Sequence, residues 1–120
     1  MDKNIAISIG KLLTEYKVKD VVVLDLTECN SWTDFFVIGT LSSSAQWKGS
    51  YKHLKDFSVE NDIEMNIGKK KTEDDDMWHL IDLGGVVVNL MHDEARKFYE
   101  LEKVWYQAPV IYSAEEETAK

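Results

Sequence analysis

The stretch MWHLIDLGGVVVNLM, residues 77–91, determines how the chain folds. It holds two apolar runs separated by Gly84-Gly85, and adjacent glycines favour a type I′ or II′ hairpin because these turns need positive φ. The sequence therefore predicts a strand over Met77–Leu83, a two-residue turn, and a strand over Val86–Met91. The chain then enters a helix that we expect to end near Trp105.

A two-residue turn also determines which side chains share a face of the hairpin, because residues directly opposite each other point the same way. One face is almost entirely aliphatic, as in a core, and consists of His79, Ile81, Leu83, Val86, Val88 and Leu90. The other, which we call the mixed face, combines apolar and polar side chains: Trp78, Leu80, Asp82, Val87, Asn89 and Met91. A large aromatic beside isolated polar groups is typical of a protein-binding surface. The alternative is that helices cover the mixed face as well.

The composition indicates one globular domain. The chain has 120 residues, of which 44% are hydrophobic and 30% charged, so it can bury a core and is not expected to be disordered. The single cysteine, Cys29, rules out an internal disulfide and fits a reducing compartment. Neither a signal peptide nor an apolar run of about 18 residues is found, so we expect a soluble, bacterial-type cytoplasmic protein without membrane contact.

The charge of the chain restricts the class of partner. A formal net charge of −8 argues against broad binding to nucleic-acid phosphate, which needs a positive field, whereas it would speed association with a basic protein. Lys69-Lys70-Lys71 could touch RNA phosphate, but the acidic residues 73–76 follow closely. Such adjacent charge blocks are usually solvated loops, and that is the interpretation we prefer for residues 68–76.

Periodicity and turn residues divide the rest of the chain. Apolar residues from Ile5 to Tyr16 recur at helical spacing, which predicts a helix over residues 3–16. Strands are predicted over Val21–Leu26, over Asp34–Thr40, and over the alternating Ile63, Met65 and Ile67. The serines at 42–44 supply N-cap chemistry for a helix that we expect to end near residue 61, although a serine run at a helix start could also cradle phosphate.

The C-terminal part is predicted to hold one more helix and a tail. Asp93 and Glu94 favour the positive end of this helix, Arg96 and Glu100 form an i,i+4 pair, and the apolar stripe is Ala95, Phe98, Leu101 and Trp105. Pro109 is expected to end regular structure, which leaves one domain over residues 1–112 and a disordered acidic tail over residues 113–120. The order α-β-β-α-β-β-β-α predicts an α+β fold, a two-layer sandwich with three helices on a mixed five-stranded sheet.

The polar residues do not form a catalytic pattern in the sequence. Asp25, Asp34 and Asp82 lie on or beside strands, but phosphoryl transfer with Mg²⁺ needs a close pair such as Asp-x-Asp, and these three stand alone. The three histidines, His53, His79 and His92, and Cys29 match no common zinc spacing. We expect His53 on a helix surface and His79 to pack or cap. The sequence therefore predicts no enzyme activity, no cofactor and no metal.

Two blocks of residues resemble a known family. The first comprises residues 22–26 (VVLDL), Ser31, residues 33–38 (TDFFVI) and the serine-rich turn that ends at Gln46. The second comprises residues 78–91, Arg96, residues 99–102 (YELE) and Trp105. In this order and spacing they resemble the Iojap-like ribosomal silencing factors over about residues 3–106. Leu41, Gly85 and Asn89 stand where the family usually has glycine, aspartate and histidine.

This resemblance implies both a fold and a function. The fold would be nucleotidyltransferase-like without the catalytic carboxylates. The protein would bind the large ribosomal subunit at ribosomal protein L-fourteen, block joining of the small subunit by its bulk, and so repress translation. A minor contact to ribosomal RNA could accompany this binding. The alternative functions are a nucleotide-binding or nucleotidyltransferase-type enzyme and a homodimer formed through the mixed face.

The partner-binding residues that we predict lie on the mixed face and on the helix that follows it. Trp78, Leu80 and Met91 would serve as apolar anchors, and Asp82 and Asn89 as polar contacts. The set also contains Val87 from the mixed face and four residues of the last helix, namely Glu94, Arg96, Tyr99 and Glu102.

Overall fold

A computed structural model describes residues 3–29, 33–67, 78–99 and 107–114 of the chain. These residues form three helices and a six-stranded sheet in the order β3-β4-β5-β2-β1-β6. The elements are α1 (Lys3–Glu15), β1 (Lys19–Asp25), β2 (Phe35–Leu41), α2 (Ser44–Glu60), β3 (Asn66–Ile67), β4 (Trp78–Asp82), β5 (Val86–His92), α3 (Asp93–Tyr99) and β6 (Val110–Ser113). Strands β2 and β5 are parallel and the other neighbours antiparallel, so the sheet is mixed.

The predicted α+β fold with three helices is confirmed, and a sixth strand joins the five predicted ones. Strand β6 pairs with β1, where Tyr112 lies opposite Val23 and Ser113 opposite Val22. Ordered structure therefore continues past residue 112, where the domain was predicted to end, because Ser113 belongs to the sheet and Ala114 is buried in the core. Pro109 precedes the strand and its carbonyl accepts from the Asp25 amide, since proline lacks only the N–H.

The ends of the first two helices agree with the sequence. Ser43 is the N-cap of α2, and its hydroxyl accepts from the Gln46 amide at 3.1 Å, so the serine run has the capping role. Asn61 is the C-cap. Strand β3 has only two residues, fewer than the alternation from Ile63 to Ile67 suggests. The predicted loop over residues 68–76, the N-terminal end of β4 at residue 77, and the continuation of α3 to residue 105 lie outside the described residues.

The Gly84-Gly85 turn forms as predicted. Gly84 has φ +88, a conformation that side-chain-bearing residues rarely adopt, and the Leu83 amide donates to the Val86 carbonyl at 2.8 Å. Strand β4 therefore pairs with β5 in the predicted register, with His79 opposite Leu90.

The sheet carries an apolar cluster on each face. On one face, side chains of α1 and α2 pack with the strands, and Ile9, Leu13 and Leu54 are fully buried there. The second cluster consists of Leu24, Leu26, Phe36, Ile38, Val87, Met91, Ala95 and Ala108. Helices α1 and α2 thus form the second layer of the predicted sandwich on one face of the sheet. The opposite face is partly covered by α3, which contains Ala95, and by the segment before β6, which contains Ala108.

Candidate functional site

The mixed face exists as the sequence predicts. Strands β4 and β5 pair Trp78 with Met91, Leu80 with Asn89, and Asp82 with Val87, so these six side chains lie on one side of the hairpin. The parallel pairing of β2 with β5 extends this side across the sheet, with Phe36 beside Val87 and Ile38 beside Asn89.

Exposure differs between the two strands of the mixed face. Trp78, Leu80 and Asp82 on β4 are half-buried, whereas on β5 Val87 and Met91 are 0% exposed and Asn89 is 1% exposed. Strand β5 is more interior in the sheet, between β4 and β2, and Ala95 and Ala108 belong to the apolar cluster of its face. Val87, Asn89 and Met91 were predicted to touch a partner directly, and the structure buries them beside the half-buried Trp78 and Leu80.

Trp78 is tied to the buried strand by a hydrogen bond. Its Nε1 donates to Oδ1 of Asn89 at 3.0 Å. Because an indole N–H is only a donor, the Asn89 amide must turn its oxygen toward Trp78. The Asn89 nitrogen, Nδ2, is then buried without a hydrogen-bond partner in the described part of the chain. The pair thus combines a half-exposed aromatic ring with an internal polar support.

The carboxylates near the sheet ends stabilise turns. Oδ1 of Asp82 accepts from the Gly84 amide at 2.8 Å, which supports the start of the hairpin turn. Oδ1 of Asp25 accepts from the amide and the hydroxyl of Thr27, at 2.9 and 2.6 Å. Among the described residues, no three histidine, cysteine or acidic side chains come together as a metal site would require.

Arg96 is engaged within the protein. Its guanidinium donates to the Asp20 carbonyl and to the Thr40 hydroxyl, the latter at 2.9 Å. Asp20 has φ +50 and lies where the register of β1 shifts between Lys19 and Val22. These bonds hold α3 against the ends of β1 and β2, and the use of Arg96 as a partner contact stays a prediction. No local pattern in the sequence could have identified these two acceptors.

Of the other predicted partner-binding residues on the last helix, the structure describes the side chain of Glu94 only. Glu94 is exposed in the first turn of α3. Beside it, Lys97 and Asp93 form an exposed ion pair at 3.1 Å. Tyr99 is the last residue of α3, but its side chain lies outside the described set, as does Glu102.

Two histidines stack on aromatic rings. The His79 ring lies 3.8 Å from that of Trp47 at an interplanar angle of 10°, on the side of the sheet that faces α2. The expectation that His79 packs is confirmed. The His53 ring stacks on Tyr16 at 3.6 Å and 11°. The first pair joins α2 to β4 and the second joins α2 to the end of α1, and no local pattern in the sequence predicts contacts between separate elements.

Comparison with known proteins identifies the family. The family model described as "Ribosomal silencing factor during starvation" matches residues 2–120. The chain belongs to the ribosomal silencing factor family. The silencing factor of Bacillus subtilis is 34% identical over 94 residues, which cover 78% of each chain. That of Halalkalibacterium halodurans is 36% identical over 95 residues, covering 79% of this chain and 80% of the relative. The chloroplastic protein Iojap of Zea mays is 32% identical over 108 residues, covering 90% of this chain and 46% of that protein.

Solved structures resemble the chain in three dimensions as well. A crystal structure of a Bacillus halodurans protein matches with a TM-score of 0.70 and 31% identity, covering 92% of this chain and 99% of that one. A Chromobacterium violaceum protein matches with a TM-score of 0.72 and 25% identity, covering 88% and 87%. The family resemblance in the sequence is thereby confirmed, and the bacterial relatives carry the name of silencing factors and not of enzymes. No helix of the described part of this silencing factor is long and apolar enough to cross a membrane.

Proposed function

We propose that this silencing factor represses translation by binding the large ribosomal subunit through ribosomal protein L-fourteen and blocking the small subunit. The observation that supports the site is the pair of half-buried apolar side chains, Trp78 and Leu80, on the mixed face of a protein of this family. Tryptophan is enriched among residues that contribute most to protein–protein binding, because one ring buries a large area.

The arrangement of the mixed face suits a rigid contact. Trp78 and Leu80 pack against the apolar cluster that contains the fully buried Val87 and Met91, so the anchors adjoin a close-packed layer. A rigid surface loses little conformational entropy when it binds. Glu94 lies exposed on the helix that follows β5, and its negative charge suits a basic ribosomal protein.

The size of the molecule supports the steric part of the proposal. Its principal extents are 34 × 33 × 32 Å. Two ribosomal subunits can join only where their surfaces approach to contact distance, about 4 Å between heavy atoms. A body of this size that is bound on the joining surface therefore prevents contact around it without any chemistry.

A nucleotide-handling enzyme is the alternative, and the described carboxylates give it little support. Asp25 and Asp82 each use an oxygen to accept from a turn amide. Saturable binding of ATP with Mg²⁺, together with turnover measured by isothermal titration and product analysis, would establish this alternative instead.

Sedimentation with purified subunits tests the proposed function. The protein should co-migrate with large subunits and reduce the fraction of joined particles when small subunits are added. The order of addition provides the control, since a steric blocker added after joining should act more slowly than one added before. Migration only with small subunits, or joining that is unaffected at saturating protein, would contradict the proposal.

Substitutions on the mixed face test the site. Trp78→Ala should weaken binding to large subunits, or to isolated L-fourteen, about tenfold or more, because it removes the central anchor. Leu80→Ser should weaken it in the same direction, since a serine hydroxyl cannot replace the apolar contact. The matched control is Val59→Ser, which removes a 74% exposed aliphatic side chain from α2. If the two variants of the mixed face bind as tightly as the Val59→Ser control, the binding site lies elsewhere on the protein.

A further inference from the structure

Asn89 stands out because it is a polar side chain in an apolar setting. It is 1% exposed, and its neighbours in register on the two adjoining strands are Leu80 and Ile38. Its Oδ1 accepts from Trp78 Nε1 at 3.0 Å, while its Nδ2 is buried with no hydrogen-bond partner among the described residues.

Stability of the fold does not explain this residue. A buried amide N–H that makes no hydrogen bond destabilises a protein, because the group has lost its water and gained nothing in return. Leucine has a similar volume and would fill the site among Leu80, Ile38 and Val87 without such a group. The unpaired nitrogen thus indicates that Asn89 serves a purpose other than packing.

The hydrogen bond that Asn89 does make indicates the purpose. Trp78 is half-buried at the start of β4, where its ring is partly open to solvent. An acceptor fixed inside the sheet restricts the ring to one orientation. We propose that Asn89 is a positioning residue, which holds the Trp78 indole in the orientation that binds the partner and lowers the stability of the fold in doing so.

This inference rests on the proposed function, in which Trp78 is the anchor. It replaces a direct contact by Asn89, because a side chain that is 1% exposed offers a partner no surface. The general reason for such an arrangement is preorganisation: an anchor that is already ordered in the free protein does not have to be ordered on binding.

The first experiment compares stability and binding in the same variant. Asn89→Leu should be as stable as the natural protein to urea, or more stable, since it removes the unpaired nitrogen and the half-buried Trp78 N–H can donate to water instead. It should nevertheless bind large subunits about three- to tenfold more weakly, the change expected for leaving one side chain to be ordered on binding. In the free protein, the indole N–H resonance of Trp78 should exchange faster with solvent in this variant, which a purely structural role would not require.

The second experiment removes the donor and keeps the ring. Benzothienylalanine at position 78, introduced by codon suppression, has the shape of tryptophan with sulfur in place of the N–H. It should weaken binding by the same three- to tenfold factor when residue 89 is asparagine, and have little effect when residue 89 is leucine. If Asn89→Leu fails to fold, the ring replacement with asparagine at position 89 still tests positioning, since unchanged binding there would overturn it.

A matched control separates loss of a buried polar atom from loss of positioning. Ser50 on α2 is 2% exposed and its hydroxyl also lacks a hydrogen-bond partner. Ser50→Ala should increase stability and leave binding unchanged, because α2 packs on the opposite side of the sheet from the mixed face.

The outcomes distinguish this inference from the proposed function. If Trp78→Ala weakens binding while Asn89→Leu and the ring replacement bind as tightly as the natural protein, positioning by Asn89 is wrong and the site stands. If Trp78→Ala also binds normally, the site itself is wrong and the inference fails with it. Lower stability of Asn89→Leu with unchanged affinity per folded molecule would likewise overturn positioning.

Discussion

Two glycines show how strongly single residues depend on their surroundings. Gly39 lies within β2, and a Cβ placed there would lie 2.6 Å from Val18 Cγ1 and 3.3 Å from Leu90 Cδ2. Gly49 lies within α2, and a Cβ placed there would meet nothing within 4 Å. The same chemical change should therefore have opposite effects at the two positions.

Alanine substitution tests this residue-scale expectation. Gly49→Ala should stabilise the protein by about 0.5–1 kcal/mol, because alanine restricts the unfolded chain and favours the helix. Gly39→Ala should destabilise it by about 1–3 kcal/mol, because Val18 and the backbone must shift to admit the methyl group. Urea unfolding of both variants provides the measurement. Stabilisation by Gly39→Ala would show that β2 is less closely packed than described.

Side-chain burial is the property of single residues that the sequence predicted least well. The Gly84-Gly85 turn determined correctly that Asn89 and Met91 share a face with Trp78, because strand pairing alternates strictly. It could not show that Asn89 and Met91 would be buried while Trp78 stays half-exposed. That difference depends on Ala108 and α3, whose positions follow from tertiary packing and not from local periodicity.

At the scale of elements, the Arg96 side chain ties α3 to strands β1 and β2. Arg96 reaches the Asp20 carbonyl and the Thr40 hydroxyl, 76 and 56 residues away in the chain. Local patterns predicted an i,i+4 pair with Glu100, and Glu100 lies outside the described residues. A bond over such sequence distances has no signal in a helical pattern, which explains why it was missed.

Removal of this tether should loosen α3. Arg96→Met keeps most of the aliphatic stem and removes the charged donors, so we expect a loss of about 1–3 kcal/mol and faster amide exchange in α3. Lys97→Met is the matched control on the same helix. Its ion pair with Asp93 is exposed, so its removal should change stability by less than about 0.5 kcal/mol. Similar losses in both variants would indicate that the Arg96 bonds contribute little.

The missed strand β6 illustrates a second limit at this scale. Val110–Ser113 has four residues and follows Pro109, and these features also suit an irregular tail. What makes it a strand is the free edge of β1, which supplies hydrogen-bond partners along its length. By contrast, α1, α2 and the β4–β5 hairpin were predictable because their periodicity and capping residues are local.

At the scale of the whole molecule, net charge and apolar contact should affect different steps of binding. The formal charge of −8 acts over the distance of a Debye length, about 10 Å at 0.1 M salt, and therefore influences the approach to a basic partner. The contact of Trp78 and Leu80 acts only once the surfaces have met, and it should govern how long the complex lasts. Salt and substitution can therefore separate the two contributions.

Kinetic measurements with immobilised large subunits test this separation. Raising the salt concentration from about 0.05 to 0.3 M should slow association about tenfold and change dissociation little. Trp78→Ala should speed dissociation and change association little, because it removes the apolar contact and leaves the charge unchanged. Glu94→Gln and Glu60→Gln each remove one exposed negative charge, from α3 and from α2. If Glu94→Gln slows association more than Glu60→Gln, the basic partner lies near the mixed face. If the two effects are equal, only the overall charge guides the encounter. Association that does not depend on salt would contradict a basic partner.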